Sequence, residues 1–360
     1  MSIKVVQFLH SGKEYKLSET EKEAKRKSWN RDIIHRRKFL HAKGAYIKDG
    51  TETKENDIYF WGEWEPESIV TSIFKKPIEG AKPHFINEPV VKIQSGHVVV
   101  PINKEDKDAH PVNTDPFLFG DKGFFYSCCM QRNKKGNKTQ MQYLEPGSII
   151  LFGSNINHYR KSNSNINKEK EPKPYFALDT VFVVGDDKNE ENPNKQGYNI
   201  NSYSKNLTKV PDNYFDIMNF EGWKESLNST GDDIDLAGCN GSICTGNKKE
   251  AEGCENGFDF TCYRGASYDF KVNGMYSFVP CKIGSKGENG FERVKLTKDS
   301  FQKIRGKEII SNNLSQGVKY TEVTLEESFD IWNTLCSIIH EDKEQGFKKA
   351  VRLDYTEKEE

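Results

Sequence analysis

Apolar and polar positions in this chain alternate over short runs more often than they recur at helical spacing. Alternation with period two is the mark of a half-buried strand. The first such run is IKVVQFL (3–9). From Ala45 onward the runs come in close succession: AYIK (45–48), DIYFWGEWE (57–65), SIVTSIF (68–74), PVVKIQ (89–94) and HVVVPI (97–102). Asp49-Gly50 and Pro146-Gly147 are turn signals. MQYLEPGSIILFGS (141–154) therefore reads as strand, turn, strand, and PYFALDTVFVV (174–184) as a long strand rich in β-branched and aromatic residues. FDFTCYRGA (258–266), GMYSFVPCKI (274–283) and FERVKL (291–296) continue the pattern later in the chain. No helical pattern separates the strands between 45 and 186, which favours an antiparallel or barrel-like sheet over a doubly wound parallel one.

Helical spacing is found at the two ends. One helix is expected from about Glu21, with Ser18 and Thr20 as caps, Trp29, Ile33 and Leu40 on one side, and Gly44 as its stop. It carries Arg31, Arg36, Arg37 and Lys38, most simply a solvated basic face near the negative pole of the helix. The other runs from Leu325 to about Ala350. Thr324 and Glu327 form a capping box there, and Leu325, Phe329, Trp332, Leu335, Cys336 and Ile339 form the apolar stripe. Residues 185–257 are rich in Asn, Lys, Gly and Asp, with one short amphipathic piece at 211–227. The expected class is α+β: a mostly antiparallel, barrel-like β sheet with an N-terminal and a C-terminal helix. The expected organisation is an aromatic block with its helix at 1–186, a polar insertion at 187–257, and strands and a helix at 258–360 that complete the same core.

Composition narrows the class. The 53 basic and 54 acidic residues nearly cancel, so no global basic field exists to hold nucleic acid, and any such binding needs a local patch. No run approaches the length of a membrane span, and residues 1–17 contain no long apolar segment. No membrane partner is expected, and the expected location is cytoplasmic. Eight cysteines are too few for a disulfide scaffold and are read as reduced thiols.

Four places carry chemistry in the sequence. In 174–184, alternation puts Phe176, Leu178, Thr180, Phe182 and Val184 on one face. Asp179 then falls with Tyr175, Ala177, Val181 and Val183 on the other. A mid-strand carboxylate in an apolar row needs a partner. It is either a structural ion pair or a ligand contact or acid/base group. In 57–65, Ile58, Phe60, Gly62 and Trp64 share one face, and Tyr59, Trp61, Glu63 and Glu65 the other. Trp61 and Trp64 beside Glu63, with Gly62 permitting close approach, suit a nucleobase: a ring stacks and a carboxylate takes an exocyclic amine. Ordinary core tryptophans with a surface Glu explain the same residues.

The turn Asn113-Thr114-Asp115-Pro116 and the following Tyr126 set polar groups on a loop between aromatic strands. Asx capping accounts for Asn113 and Asp115 equally well. Cys128 or Cys129 as a nucleophile would need a basic partner such as His110 or His158. The fourth place is Cys239-x4-Cys244-x9-Cys254-x7-Cys262, whose first pair fits zinc spacing loosely and whose second does not. No metal ligand is assigned, and the sequence leaves the cofactor unknown. Arg264, before Gly265, either clamps a phosphate or pairs with a buried acid such as Asp179. Phosphate-loop, dinucleotide, HExxH and GxSxG signatures are absent.

LEPGSIILFGS (144–154) together with WGEWEP (61–66) resembles elements of the small β-barrel modules of the PUA, ASCH and EVE families, over residues 57–186. That resemblance implies a module that takes a nucleobase, sometimes modified, into an aromatic pocket. Hydrolytic members of the ASCH type use a Lys, a Thr and a Glu that do not map here, so no catalytic residue carries over. The leading expectation is binding of a nucleotide, nucleobase or modified nucleic acid by Trp61, Glu63, Trp64, Asn113, Asp115, Tyr126, Asp179 and Arg264, with Arg36 and Arg37 adding phosphate contacts. Two alternatives stand beside it: a hydrolase or nuclease using Asp179 and Glu63, and a module that docks a protein partner through the 187–257 insertion.

Overall fold

A computed structural model describes residues 2–9, 37–64, 68–74, 84–89, 92–94, 97–99, 116–119, 124–126, 129–131, 133, 137–156, 175–186, 199–201, 259–261, 263–284, 291–305, 317–341 and 346–354. Strands and helices are numbered in chain order.

The first sheet contains β1 (Ile3–Leu9), β10 (Ile149–Ile156), β11 (Tyr175–Val183), β16 (Val294–Leu296) and β17 (Gly317–Val323). Their order is β16-β11-β10-β1-β17. β1 and β10 run parallel, and the remaining pairs are antiparallel. The second sheet has seven strands: β2 (Arg37–Lys48), β3 (Thr51–Glu52), β4 (Asn56–Glu63), β5 (Ser68–Phe74), β6 (His84–Pro89), β15 (Val279–Ile283) and β18 (Lys348–Asp354). Its order is β18-β15-β4-β2-β6-β5, with β3 on β2 and a further β18–β2 pairing. β2 and β6 are parallel. Among the described residues, three two-stranded pieces complete the β structure: β7 (Lys92–Gln94) with β8 (His97–Val99), β9 (Phe125–Tyr126) with β14 (Tyr263–Arg264), and β12 (Asn199–Asn201) with β13 (Asp259–Thr261). The described α-helices are α1 (Lys298–Arg305) and α2 (Leu325–Glu341).

Alternation sorts the side chains into separate cores. Val6, Phe8, Ile150 and Phe152 of the first sheet pack with Leu40, Ile58, Phe60 and Val279 of the second. The opposite parity, Val5, Leu9, Ile149 and Leu151, packs with Ile331, Trp332, Leu335 and Ile339 of α2. The α2 start is the capping box expected from sequence. The Thr324 N–H donates to Glu327 Oε2 at 2.7 Å, and the Glu327 N–H to Thr324 Oγ1 at 3.1 Å. No described helix is long and apolar enough to cross a membrane.

The α+β expectation is corrected. The protein is mostly β; its two large sheets are mixed, each with one parallel pairing among antiparallel ones, and they do not close into a barrel. The expected N-terminal helix conflicts with β2, which starts at Arg37; residues 21–36, including Arg36, lie outside the described residues. The misreading has a physical source. Gly44 reads as a helix stop, but a Cβ on it would meet the Arg352 carbonyl oxygen at 2.0 Å. It is glycine because β18 crosses there. Leu40, read as one side of a helix, belongs to an alternating row with Ala42 in the inter-sheet core. At the other end, α2 stops at Glu341, short of the expected Ala350, and the chain returns as β18. β17, β18 and α1 were not expected from sequence. The 141–154 segment is a 3-10 turn (Gln140–Gln142) leading to β10, not strand–turn–strand.

Candidate functional site

The site begins with a break in a ladder. β10 and β11 pair Phe152 with Thr180 and Gly153 with Leu178, so Asp179 is the extra residue of a β-bulge. A bulge shifts parity. Phe176 and Leu178 therefore lie in the same core as Val181 and Val183, while Phe182 and Val184 face the other core. The strict alternation expected along this strand fails at Asp179 itself. Gly153 is glycine for space: a Cβ there would sit 2.2 Å from the Ala177 carbonyl oxygen and 2.7 Å from Phe176 Cζ.

β2 and β4 supply the other half. Arg37 is paired with Glu63, Phe39 with Trp61, His41 with Tyr59 and Lys43 with Asp57. These residues share one face, as expected for β4. Arg37 Nη1 lies 2.7 Å from Glu63 Oε2, and Arg37 Nε lies 2.5 Å from Asp179 Oδ2. Arg37 Nη2 also donates to the Gly153 carbonyl at 3.3 Å, so one guanidinium joins the two sheets. Arg293, just before β16, completes the group. Its Nη1 donates to Ser154 Oγ at 2.6 Å and lies 3.4 Å from Asp179 Oδ1.

The four charges cancel, and they are held away from water. Arg37 is 2 % exposed, Glu63 and Asp179 3 %, and Arg293 10 %. Burial alone would lower the Arg37 value, but the Glu63 and Asp179 carboxylates outweigh it and the net shift is upward. Burial pushes the Asp179 carboxyl up; Arg37 and Arg293 oppose that push and Glu63 adds to it.

An aromatic row runs on from this group. The Trp61 Nε1–H donates to the Phe291 carbonyl at 2.7 Å. Phe39 lies 5.1 Å from its ring, and the Arg293 guanidinium 5.9 Å from its ring centroid. The space over Gly62, read as room for a flat ligand, is taken by the side chains of Leu40 and Phe60, 3.3 and 3.4 Å from a Cβ there.

Of the residues singled out by sequence, the fold thus brings together Arg37, Trp61, Glu63 and Asp179. Trp64 is elsewhere, in the inter-sheet core against Phe119 at 5.2 Å. Tyr126 is in the same core, donating to the Cys129 carbonyl at 2.6 Å and stacked on Tyr263 at 5.8 Å. Arg264 is half-buried on β14 opposite Phe125, and the arginines on Asp179 are Arg37 and Arg293 instead. Asn113, Asp115, His110, His158, Cys128, Cys239, Cys244, Cys254, Cys262 and the 211–227 piece lie outside the described residues, as does the 187–257 insertion apart from β12. Cys129, Cys281 and Cys336 are buried free thiols. Among the described residues no group of three or more His, Cys, Asp or Glu is placed to hold a metal ion.

Sequence reasoning missed Arg293, Ser154 and Gly153. Nothing local separates Arg293 from Lys295 in FERVKL. Gly153 did carry a signal: glycine inside a strand pattern marks a bulge, and this bulge sets Asp179.

Fold and site together define a mostly β protein whose two mixed sheets are joined by a buried arginine–carboxylate network beside an aromatic row. No family model, no curated protein and no solved structure matches the chain.

Proposed function

We propose that this network and the Trp61 indole form a recognition site for a nucleotide or nucleobase. The carrying observation is Arg293: one guanidinium that touches Asp179 and Ser154 while lying over the Trp61 ring. A guanidinium over an indole marks a face that accepts a flat, electron-poor partner. A nucleobase takes that face in the guanidinium's place, presents its hydrogen-bonding edge to Glu63 or Asp179, and frees Arg293 to meet a phosphate. Arg293 is the member of the network with the most solvent access, which suits it to that movement.

Acid–base catalysis by Asp179 or Glu63 has less support, because each carboxylate is already engaged by arginine. No observation favours hydrolysis over binding.

Melting curves of the full chain with a panel of nucleosides, nucleotides and short single-stranded oligonucleotides test the proposal. A ligand at about a hundred times its Kd stabilises by roughly 2.7 kcal/mol, a shift of several degrees. Trp61→Leu should abolish the shift. A panel without any shift, or one unchanged in Trp61→Leu, overturns the assignment.

A further inference from the structure

A base that stacks on Trp61 in place of the Arg293 guanidinium inherits the groups that guanidinium serves. Arg293 reaches them through a single nitrogen. Its Nη1 donates to Ser154 Oγ at 2.6 Å and to Asp179 Oδ1 at 3.4 Å. The two hydrogens of one NH2 group thus meet two oxygens. Both acceptors are buried, Ser154 completely. A replacement that leaves either without a donor forfeits a hydrogen bond where water cannot restore it. The ligand therefore needs an amino group with two hydrogens at this point. Ser154 on β10 and Asp179 on β11 belong to neighbouring strands, so paired backbone and not a loop holds the two oxygens together.

Asp179 sets a second requirement. An ionised carboxylate only accepts hydrogen bonds, and each of its oxygens has two lone-pair sites. Arg37 Nε lies 2.5 Å from Oδ2, which leaves room for another donor on the same carboxylate. The ring atom beside the ligand's amino group consequently faces an acceptor. A ring N–H there adds a hydrogen bond, whereas a nitrogen lone pair there is repelled.

The bases differ on these two points. Uracil and hypoxanthine have no amino group. Adenine and cytosine have one, with a lone-pair nitrogen of the ring beside it. Guanine has its 2-amino group beside the N1–H. That edge is a guanidine fragment, the same donor pattern as the arginine side chain it would replace. Resting on the nucleobase reading of the Trp61 site, we propose that the site selects guanine. The N1–H and the 2-amino group donate to the Asp179 carboxylate, and the second amino hydrogen goes to Ser154 Oγ. Trp61 stacks on the ring without regard to which base it is. Asp179 and Ser154 are thus the residues that determine specificity, and the released Arg293 meets the phosphate of any nucleotide alike.

Calorimetric titration of the full chain with GMP, IMP, 7-deaza-GMP, AMP, CMP and UMP tests this. All six carry the phosphate, so only the base differs. IMP lacks just the amino group, and 7-deaza-GMP keeps the whole donor edge. GMP and 7-deaza-GMP should bind alike, and IMP and AMP on the order of tenfold more weakly, the scale of one lost hydrogen bond to a buried partner. Ser154→Ala removes the acceptor of one amino hydrogen and should narrow the gap between GMP and IMP. IMP or any other base binding as tightly as GMP overturns guanine selection and leaves the nucleotide reading standing. A GMP–IMP gap undiminished in Ser154→Ala overturns the placement of the amino group. If none of the six binds, the selection and the mononucleotide form of that reading fall together.

Discussion

At Arg37 three separate demands meet on one side chain. It pairs with Glu63 across β2–β4, with Asp179 across the sheet junction, and with the Gly153 carbonyl at the bulge. A buried network of this kind is a modest net stabiliser, since desolvating four charges offsets most of their attraction. Removing one member is different, because it leaves its partners charged and buried. Arg37→Met is therefore expected to cost roughly 3–5 kcal/mol in chemical denaturation. A loss under about 1 kcal/mol would mean that water reaches the site and screens the carboxylates as it does an exposed pair. None of this was visible at Arg37 in the sequence. RRKFLHAKG has four cations in nine residues, and such a run is ordinarily a solvated face. Its burial depends on two carboxylates that lie 26 and 142 positions away, and local periodicity contains no such information.

Among the elements, β2 shows how one residue type acquires different meanings. Gly44 admits the backbone of β18, whereas Gly62 on β4 faces only the side chains of Leu40 and Phe60. Gly44→Ala should therefore cost about 1–3 kcal/mol through forced separation of β2 and β18. Gly62→Ala, whose neighbours can rotate aside, should cost clearly less. Equal losses in denaturant titrations of the two variants would contradict the close β2–β18 approach. The elements legible in the sequence were those whose pattern completes itself locally: β1, β5, the faces of β4, and α2 with its capping box. β17 and β18 were not, since VKYTEV and KKAVRLD carry too few apolar positions to declare a strand until their partners are known.

Over the whole molecule the two sheets share one inter-sheet core, and the Arg37 bridge and the Val181–Phe278 pairing cross between them. Such a structure should open as one unit. Cys281 reports on this. It lies on β15 between β18 and β4, is fully buried, and has its thiol pushed up to about 12 by that burial. Its reaction with a thiol reagent at pH 8, followed by peptide mass spectrometry, should proceed only through global opening. The opening free energy it gives should equal that from denaturant unfolding. A markedly smaller value would show that β15 and β18 detach separately.

The sequence by itself determined that the chain is rich in strands, which residues of β4 share a face, where α2 begins, and that a carboxylate at 179 must find a partner. These follow from period, turn chemistry and the cost of burying charge, all of which act within a few residues. Only the tertiary structure decided that Arg37 lies in a strand, that Arg293 joins it on Asp179, and that a bulge opposite Gly153 turns β11 over halfway along. Those outcomes depend on which strands become neighbours, and that choice is made by burial summed over the whole chain.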